Sequence, residues 1–370
     1  MSGEWKNPYN SFNSLKGLLY APQYQAVANK QFLPPIEASL DLVQHCNLSC
    51  QHCNAGRYLK DESVPIKYMD SDHIMNLIKF LGEWGVKSCC YGGGGESTLH
   101  RKLPDAIRLS RQVGMDAAVI TNGTVLNSDL LDAYPSCRFL SISIDAGKRD
   151  TYKKTKGLDL FDTVINNVHD VVERLKSHKN NSLVNCDVCY KFLITQWNQY
   201  EIYDACVIAK QIGVRDFYVR PADYNHQGIN ESSKVTYEYD LQAIEDQFRM
   251  CKELETEQFR VFTVTHKYNS NYTPKKDFSQ CYGAPVCIQI CPDDNVYFCV
   301  DTRYLEFYKL GTHYPDPKNI LNFWGKEKHK ELVFETGMKN CTSRCTYGPY
   351  CKQAEELFIK KTDPMCAWFT

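Results

Sequence analysis

Between residues 36 and about 223, short apolar runs alternate with segments of helical period, and this alternation constrains the fold more than any other feature. The runs at 36–43, 86–91, 117–120, 139–144, 183–193 and 217–219 read as buried parallel strands. The segments between them read as helices. Ile74, Leu77, Ile78 and Leu81 follow an Asp70-Ser71 cap, and the segment 103–113 carries Pro104 in its first turn. Val164, Ile165, Val168, Val171, Val172 and Leu175 form a stripe, and 202–212 is the last segment. Gly85, Gly114 and Gly213 stand where these helices end. Six strand–helix units predict an α/β fold with a parallel sheet. The residues alone allow a doubly wound sheet or a barrel. At 370 residues the chain is long for one domain, so one large and one small domain are expected.

The 18 cysteines are unevenly placed. Cys46-Asn-Leu-Ser-Cys50-Gln-His-Cys53 puts three thiols within eight residues, on a loop after the first strand. That spacing suits three corners of one iron–sulfur cube. Four irons and three local thiolates leave one iron open, as a catalytic metal site requires. Eight more cysteines lie between 281 and 366, and the other seven are scattered through apolar or helical stretches as small hydrophobes. Cys186 and Cys189 are three apart on a strand and so point to opposite faces. The alternative for both cysteine fields is structural zinc, with His52 as a tempting fourth ligand. The net charge of −1 gives no basic excess to suggest nucleic acid. The N-terminus lacks a signal pattern and no apolar run approaches a membrane span, so the expected location is cytoplasmic. There, abundant cysteine points to metal rather than disulfides.

Cys46-x3-Cys50-x2-Cys53 after a first strand resembles the signature of the radical S-adenosylmethionine (SAM) enzymes. The resemblance implies a six-stranded partial (β/α) TIM-like barrel and a [4Fe–4S] cluster whose open iron chelates the methionine part of SAM. It also implies reductive cleavage of SAM to a 5′-deoxyadenosyl radical, which takes a hydrogen atom from the substrate. An external electron donor such as flavodoxin or ferredoxin is implied with it. In α/β barrels the chemistry sits at the C-terminal ends of the strands. His52 occupies the place of an aromatic residue that packs near adenine. Gly92-Gly93-Gly94-Gly95-Glu96 follows the second strand, and Gly94, Gly95 and Glu96 match the family's GGE motif, whose backbone meets the SAM amine. Asn122 belongs to the Thr121-Asn122-Gly123 end of strand three, a common sequence at that point in the family. Ser141, Ser143 and Asp145 share one face of strand four. Ser143 matches a SAM ribose or carboxylate contact, and Asp145 is a candidate to reach substrate. Lys191 lies on strand five. Arg220, at the end of strand six, is a candidate for the SAM carboxylate. Ordinary strand-end polarity is the alternative for Ser143, Lys191 and Arg220.

The C-terminal field resembles a SPASM domain, which usually binds two auxiliary [4Fe–4S] clusters. Its groups are Cys281-x5-Cys287-x3-Cys291 with Cys299, and Cys341-x3-Cys345-x5-Cys351 with Cys366. A hairpin turn at Pro292-Asp-Asp-Asn lies between two strand-like runs. Three departures stand out: Asp294 replaces a glycine, Cys341-x3-Cys345 replaces a Cys-x2-Cys step, and Glu355 replaces a cysteine. By resemblance, Cys341, Cys345, Cys351 and Cys366 hold one cluster. Cys281, Cys287 and Cys299 hold another, completed by Cys291 or left open for substrate. A smaller, twitch-like domain with one auxiliary cluster is the other outcome. Asp301 is a candidate catalytic base beside this field.

The expected organisation is an N-terminal arm packed on the barrel (1–35), the partial barrel (36–225), a bridging segment (226–278) and the cysteine-rich domain (279–370). The expected activity is that of a radical SAM enzyme, an oxidoreductase or epimerase, acting on a small sugar-like or natural-product molecule by dehydrogenation, epimerisation or bond formation. No leader-peptide-binding domain is evident before residue 36, which favours a small molecule over a peptide. Peptide modification is the alternative, followed by a non-catalytic zinc module.

Overall fold

The computed structural model describes residues 14–59, 65–178, 186–222, 238–265, 268, 270, 275–339, 341 and 345–360. Its strands are β1 (Glu37–Leu40), β2 (Ser88–Tyr91), β3 (Asp116–Thr121), β4 (Cys137–Ser143), β5 (Asp187–Ile194), β6 (Asp216–Pro221), β7 (Arg260–Thr263), β8 (Cys287–Ile290), β9 (Asn295–Tyr297) and β10 (Lys309–Thr312). All ten belong to one sheet, in the order β10-β9-β8-β1-β2-β3-β4-β5-β6-β7. From β8 to β7 every neighbouring pair is parallel, and β9 and β10 add antiparallel strands at one edge. The expected α/β class and parallel strand–helix alternation are what the chain adopts.

Helices Ser71–Trp84, Leu103–Gln112, Phe161–His178 and Ile202–Ile212 coincide with the four periodic segments. The Asp70 carboxylate accepts from the N–H groups of Asp72 (3.0 Å) and His73 (2.8 Å), which start the first of them. Leu77, Ile78 and Leu81 on that helix are fully buried. Each such side chain contributes roughly 1.5–3 kcal/mol relative to exposure. One sheet face meets the helices: the Tyr91 hydroxyl bonds the Ala106 carbonyl (3.1 Å) and Ser110 Oγ (2.6 Å) on helix Leu103–Gln112. The other face is more open. On β2, β3 and β5 the helix-facing residues are buried, whereas Ser88, Cys90, Ala118, Ile120, Lys191 and Leu193 are only half-buried.

Two expectations need correction. The segment read as a bridge holds a further unit, helix Leu241–Glu253 followed by β7, which pairs in parallel with β6. Only Val261 and Phe262 of β7 are buried, too short an apolar signal to stand out among polar neighbours. The C-terminal region does contain the expected hairpin, β8–β9, but β8 pairs in parallel with β1, so this region extends the barrel sheet. The described part of the N-terminal arm packs on the C-terminal segment. Tyr24 is buried beside Tyr347 and Cys351 and bonds Gln353 Oε1 (3.4 Å). The arm's Trp5, Tyr9 and Phe12 lie outside the described residues. Among the described residues, no helix is long and apolar enough to cross a membrane.

Candidate active site

The loop 46–53 leaves β1 at the C-terminal edge of the parallel sheet. Cys46, Cys50 and Cys53 are half-buried on it. The loop is tied down on two sides. The N–H groups of Ser49 and Gln51 donate to the carbonyls of Lys156 (3.2 Å) and Thr155 (3.1 Å), which end helix Arg149–Lys156. Asn47 donates to Thr124 Oγ1 and accepts from Asn122 Nδ2, both at 2.8 Å. Asn122 Nδ2 also lies 3.8 Å from Cys46 Sγ, so this predicted residue touches a predicted ligand. Burial pushes the Cys46 thiol up to about 11 and the Cys50 thiol up to about 12, the latter against the pull of Lys156. A bound metal would supply the charge that offsets this burial and favours the thiolates.

His52 and Asp145 meet directly behind this loop, with His52 Nε2 3.0 Å from Asp145 Oδ2. Lys156, 2% exposed, bonds the same carboxylate oxygen. Oδ1 accepts from the Leu193 N–H at 2.7 Å. Burial alone would raise the Asp145 carboxyl, but Lys156 and His52 more than reverse that and hold it well below the usual carboxylate range. Burial lowers the His52 imidazole. Asp145 is fully buried and supports the loop from behind. His52 Nδ1 is buried with no hydrogen-bond partner among the described residues.

The Gly-rich turn lies against the same loop. The Glu96 N–H donates to the His45 carbonyl (2.8 Å), and the Gly92 N–H donates to the Leu40 carbonyl (3.1 Å). A Cβ on Gly95 would sit 2.2 Å from the Val43 carbonyl oxygen, so only glycine permits this approach. The buried Glu96 side chain is spent on structure. It accepts from Thr98 and Thr121 hydroxyls, both at 2.7 Å, and from the Asn122 N–H at 2.8 Å. Ser143 pairs in register with Lys191 on the open face. Arg220 is buried and donates to the Pro221 carbonyl (2.8 Å) and Tyr268 hydroxyl (2.9 Å).

The C-terminal cysteines depart from the expected two sets. Cys281 and Cys299 of the first group and Cys341, Cys345 and Cys351 of the second line one cavity. Two backbone amides address its sulfurs: Gly283 N–H at 3.3 Å from Cys351 Sγ, and Asp301 N–H at 3.5 Å from Cys299 Sγ. Lys276 lines the cavity and reaches the Cys341 carbonyl. Asp301 is buried there and accepts from Thr346 N–H (3.2 Å) and Oγ1 (2.9 Å). Cys287 packs beside Tyr347 outside the lining. Cys291 lies 3.7 Å from Asp41 Oδ2. The physical reason is β8: alternation along this strand and past its end puts residues 287, 289 and 291 on one face, which carries Cys291 to Asp41 beyond the end of β1. Cys366 lies outside the described residues.

Sequence reasoning missed Asp41, Lys156 and Arg303, which are buried around these elements. Only Asp41 left a trace, as the third polar residue at period two (Glu37, Ser39, Asp41) in an apolar strand.

These residues fit an iron–sulfur cluster and SAM. The features are three thiols within eight residues, a side-chain amide beside one of them, a turn too tight for any side chain, and a buried imidazole nitrogen with no hydrogen-bond partner among the described residues. Among the described residues, no three Cys, His, Asp or Glu side chains converge as ligands of a single ion.

The sequence pattern of the radical SAM superfamily matches residues 41–187. A protein of Saccharolobus solfataricus named "Probable GTP 3',8-cyclase" is 28% identical over 193 residues, 51% of this chain. The match takes in 58% of that relative, so little more than half of its length is shared. Streptococcus suis SuiB bound to its precursor peptide SuiA has a similar fold, with a TM-score of 0.62 at 13% identity over 97% of this chain and 82% of that one. The structure of anSMEcpe with bound AdoMet gives 0.58 at 16% identity over 85% and 88%. Residues 41–187, about two fifths of the chain, therefore carry a radical SAM domain.

Proposed function

We propose that this protein cleaves SAM reductively to a 5′-deoxyadenosyl radical and uses it to abstract a hydrogen atom from a small polar molecule. The observation that carries the reading is the meeting of the three-thiol loop and the Gly92–Glu96 turn at one end of the sheet. Cys46, Cys50 and Cys53 would hold the cluster, and Gly94, Gly95 and Glu96 would present backbone to the SAM amine. His52 and Asn122 would line the cofactor, and Ser143 and Arg220 would meet its polar groups. Held there, the cluster would supply the electron that cleaves SAM. The half-buried, partly polar face with Ser143 and Lys191 is where substrate would enter. The cyclase relatives, named for a nucleotide substrate, support a small molecule.

The five-cysteine cavity supports one auxiliary cluster, which can accept the second electron of a dehydrogenation. Asp301 at its wall would take the accompanying proton. An external donor such as flavodoxin or ferredoxin would supply the first electron. A second reading, peptide modification, is favoured by the structural likeness to SuiB with its precursor peptide.

The test is anaerobic reconstitution of the wild type and a Cys46/Cys50/Cys53→Ala variant. About eight irons falling to about four, with 5′-deoxyadenosine released only by the wild type, is the expected result. Zinc without iron would overturn the reading. Substrate-dependent 5′-deoxyadenosine release with peptide but not small-molecule pools would select the second reading.

A further inference from the structure

Between the loop 46–53 and the five-cysteine cavity lies a buried polar cluster whose members line neither. Asp41, just past β1, receives the Gly94 N–H on Oδ1 at 3.0 Å. Its Oδ2 pairs with Arg303 Nε at 2.8 Å. Arg303 Nη2 donates to Gln289 Oε1 on β8 at 2.9 Å. Gln289 Nε2 lies 3.4 Å from Cys291 Sγ, which closes the ring back to Asp41. All four side chains are buried, and the rings of Tyr58 and Tyr304 stand 4.2 Å apart beside them. The Gly-rich turn is laid directly on this pair. A Cβ on Gly94 would sit 2.0 Å from Asp41 Oδ2, and one on Gly93 would sit 3.0 Å from Arg303 Nη2.

Arg303 adjoins Thr302 and follows Asp301, and both line the five-cysteine cavity with Cys299. One short segment, 299–303, therefore forms the cavity wall at one end and touches the Asp41–Gly94 contact at the other. A buried ion pair adds little net stability over an apolar replacement, and its best-attested use is to fix register.

We infer that Arg303 and Asp41 are positioning residues that set the Gly92–Glu96 turn for SAM from the wall of the C-terminal cysteine cavity. The inference rests on the reading that this turn binds SAM. Asp41 holds the Gly94 amide, Arg303 fixes the rotamer of Asp41, and the cavity wall fixes Arg303. Movement of that wall is thereby passed to the backbone that would meet the SAM amine.

The experiment compares reconstituted wild type with Arg303→Gln, Arg303→Lys and the charge-neutral double variant Asp41→Asn/Arg303→Gln. Iron content, equilibrium SAM binding before reduction, and amide hydrogen exchange across residues 92–96 are measured on each. The expected result for Arg303→Gln is SAM affinity weakened roughly ten- to a hundred-fold, the order that losing one contact to a charged group gives. Exchange in the turn should rise, triad iron should be unchanged, and Arg303→Lys should restore part of the affinity. Equal affinity and equal exchange in wild type and Arg303→Gln would overturn the inference. If Arg303→Gln loses triad iron, the double variant decides. Iron regained without SAM affinity supports positioning, and both regained reduces the pair to charge balance and overturns it. A wild type that holds iron but binds no SAM would instead sink the functional reading.

Discussion

Asp145→Asn isolates the charge that supports the cysteine loop. The substitution keeps the shape, and asparagine tolerates the left-handed backbone found there, φ 57°. What it removes is the counter-charge of Lys156, a buried cation beside Cys50. Breaking a buried pair by removing one partner costs about 3–5 kcal/mol. Lys156 has an escape, which is to lose its proton. From an unfolded pKa near 10.4, neutralising it at pH 8 costs about 3 kcal/mol and at pH 9 about 2 kcal/mol. The destabilisation should therefore be largest near neutrality and shrink as the pH rises toward 10. In the wild type the sign runs the other way at low pH. The folded carboxyl is held below its unfolded value, so its stabilisation is present above about pH 4 and is lost as acid protonates it. The assay is urea unfolding of metal-free, reduced protein at pH 7 and pH 9, with Lys156→Met/Asp145→Asn as the control that removes both charges. A loss under about 1 kcal/mol at pH 7, or one that does not shrink at pH 9, would refute the argument.

Gly95→Ala places a methyl against the backbone oxygens of Val43 and His45, so the loop must shift. It should cost about 1–3 kcal/mol and abolish SAM binding by dialysis; unchanged binding would refute the tight-turn argument. Asp216 is buried at the start of β6, and burial raises its carboxyl to about 7 against the pull of Arg260. Its folded pKa lies above the unfolded one, so stability falls as pH rises from about 4 to about 7. Asp216→Asn should gain on the wild type over that range by up to about 4 kcal/mol, read from urea midpoints at pH 4.5 and 8. Cys299→Ala should lose about four irons, whereas Cys291→Ala should keep its full complement after reconstitution. Equal losses would restore Cys291 as a ligand.

The elements that were legible in the sequence are those whose signal is local. Helix Phe161–His178 announces itself by six apolar residues at helical spacing, and β1 to β6 by short apolar runs between turns. The loop 46–53 and the Gly92–Glu96 turn are local too, because one spacing and one run of glycine define them. What was not legible depends on the approach of distant residues. Lys156 sits in the run Lys153-Lys154-Thr155-Lys156, which reads as a solvated helix end, yet Asp145 draws its ammonium inside. The grouping of Cys299 with Cys351 follows from how β8 joins the sheet, and spacing carries no record of that.

The pairing of β1 with β8 sets a timing problem for synthesis. Ala38 and Ile288 are register partners 250 residues apart. At about 5–20 residues per second, the ribosome needs roughly 12–50 s to supply the second after the first. Throughout that interval the strand that leads into the triad has one hydrogen-bonding edge open. An open apolar edge invites pairing with other chains, and contacts of such long range are slow to close. A nascent or truncated chain ending before residue 287 should therefore be the aggregation-prone species. Iron delivered early would meet the three thiols while the strand behind them still lacks its neighbour.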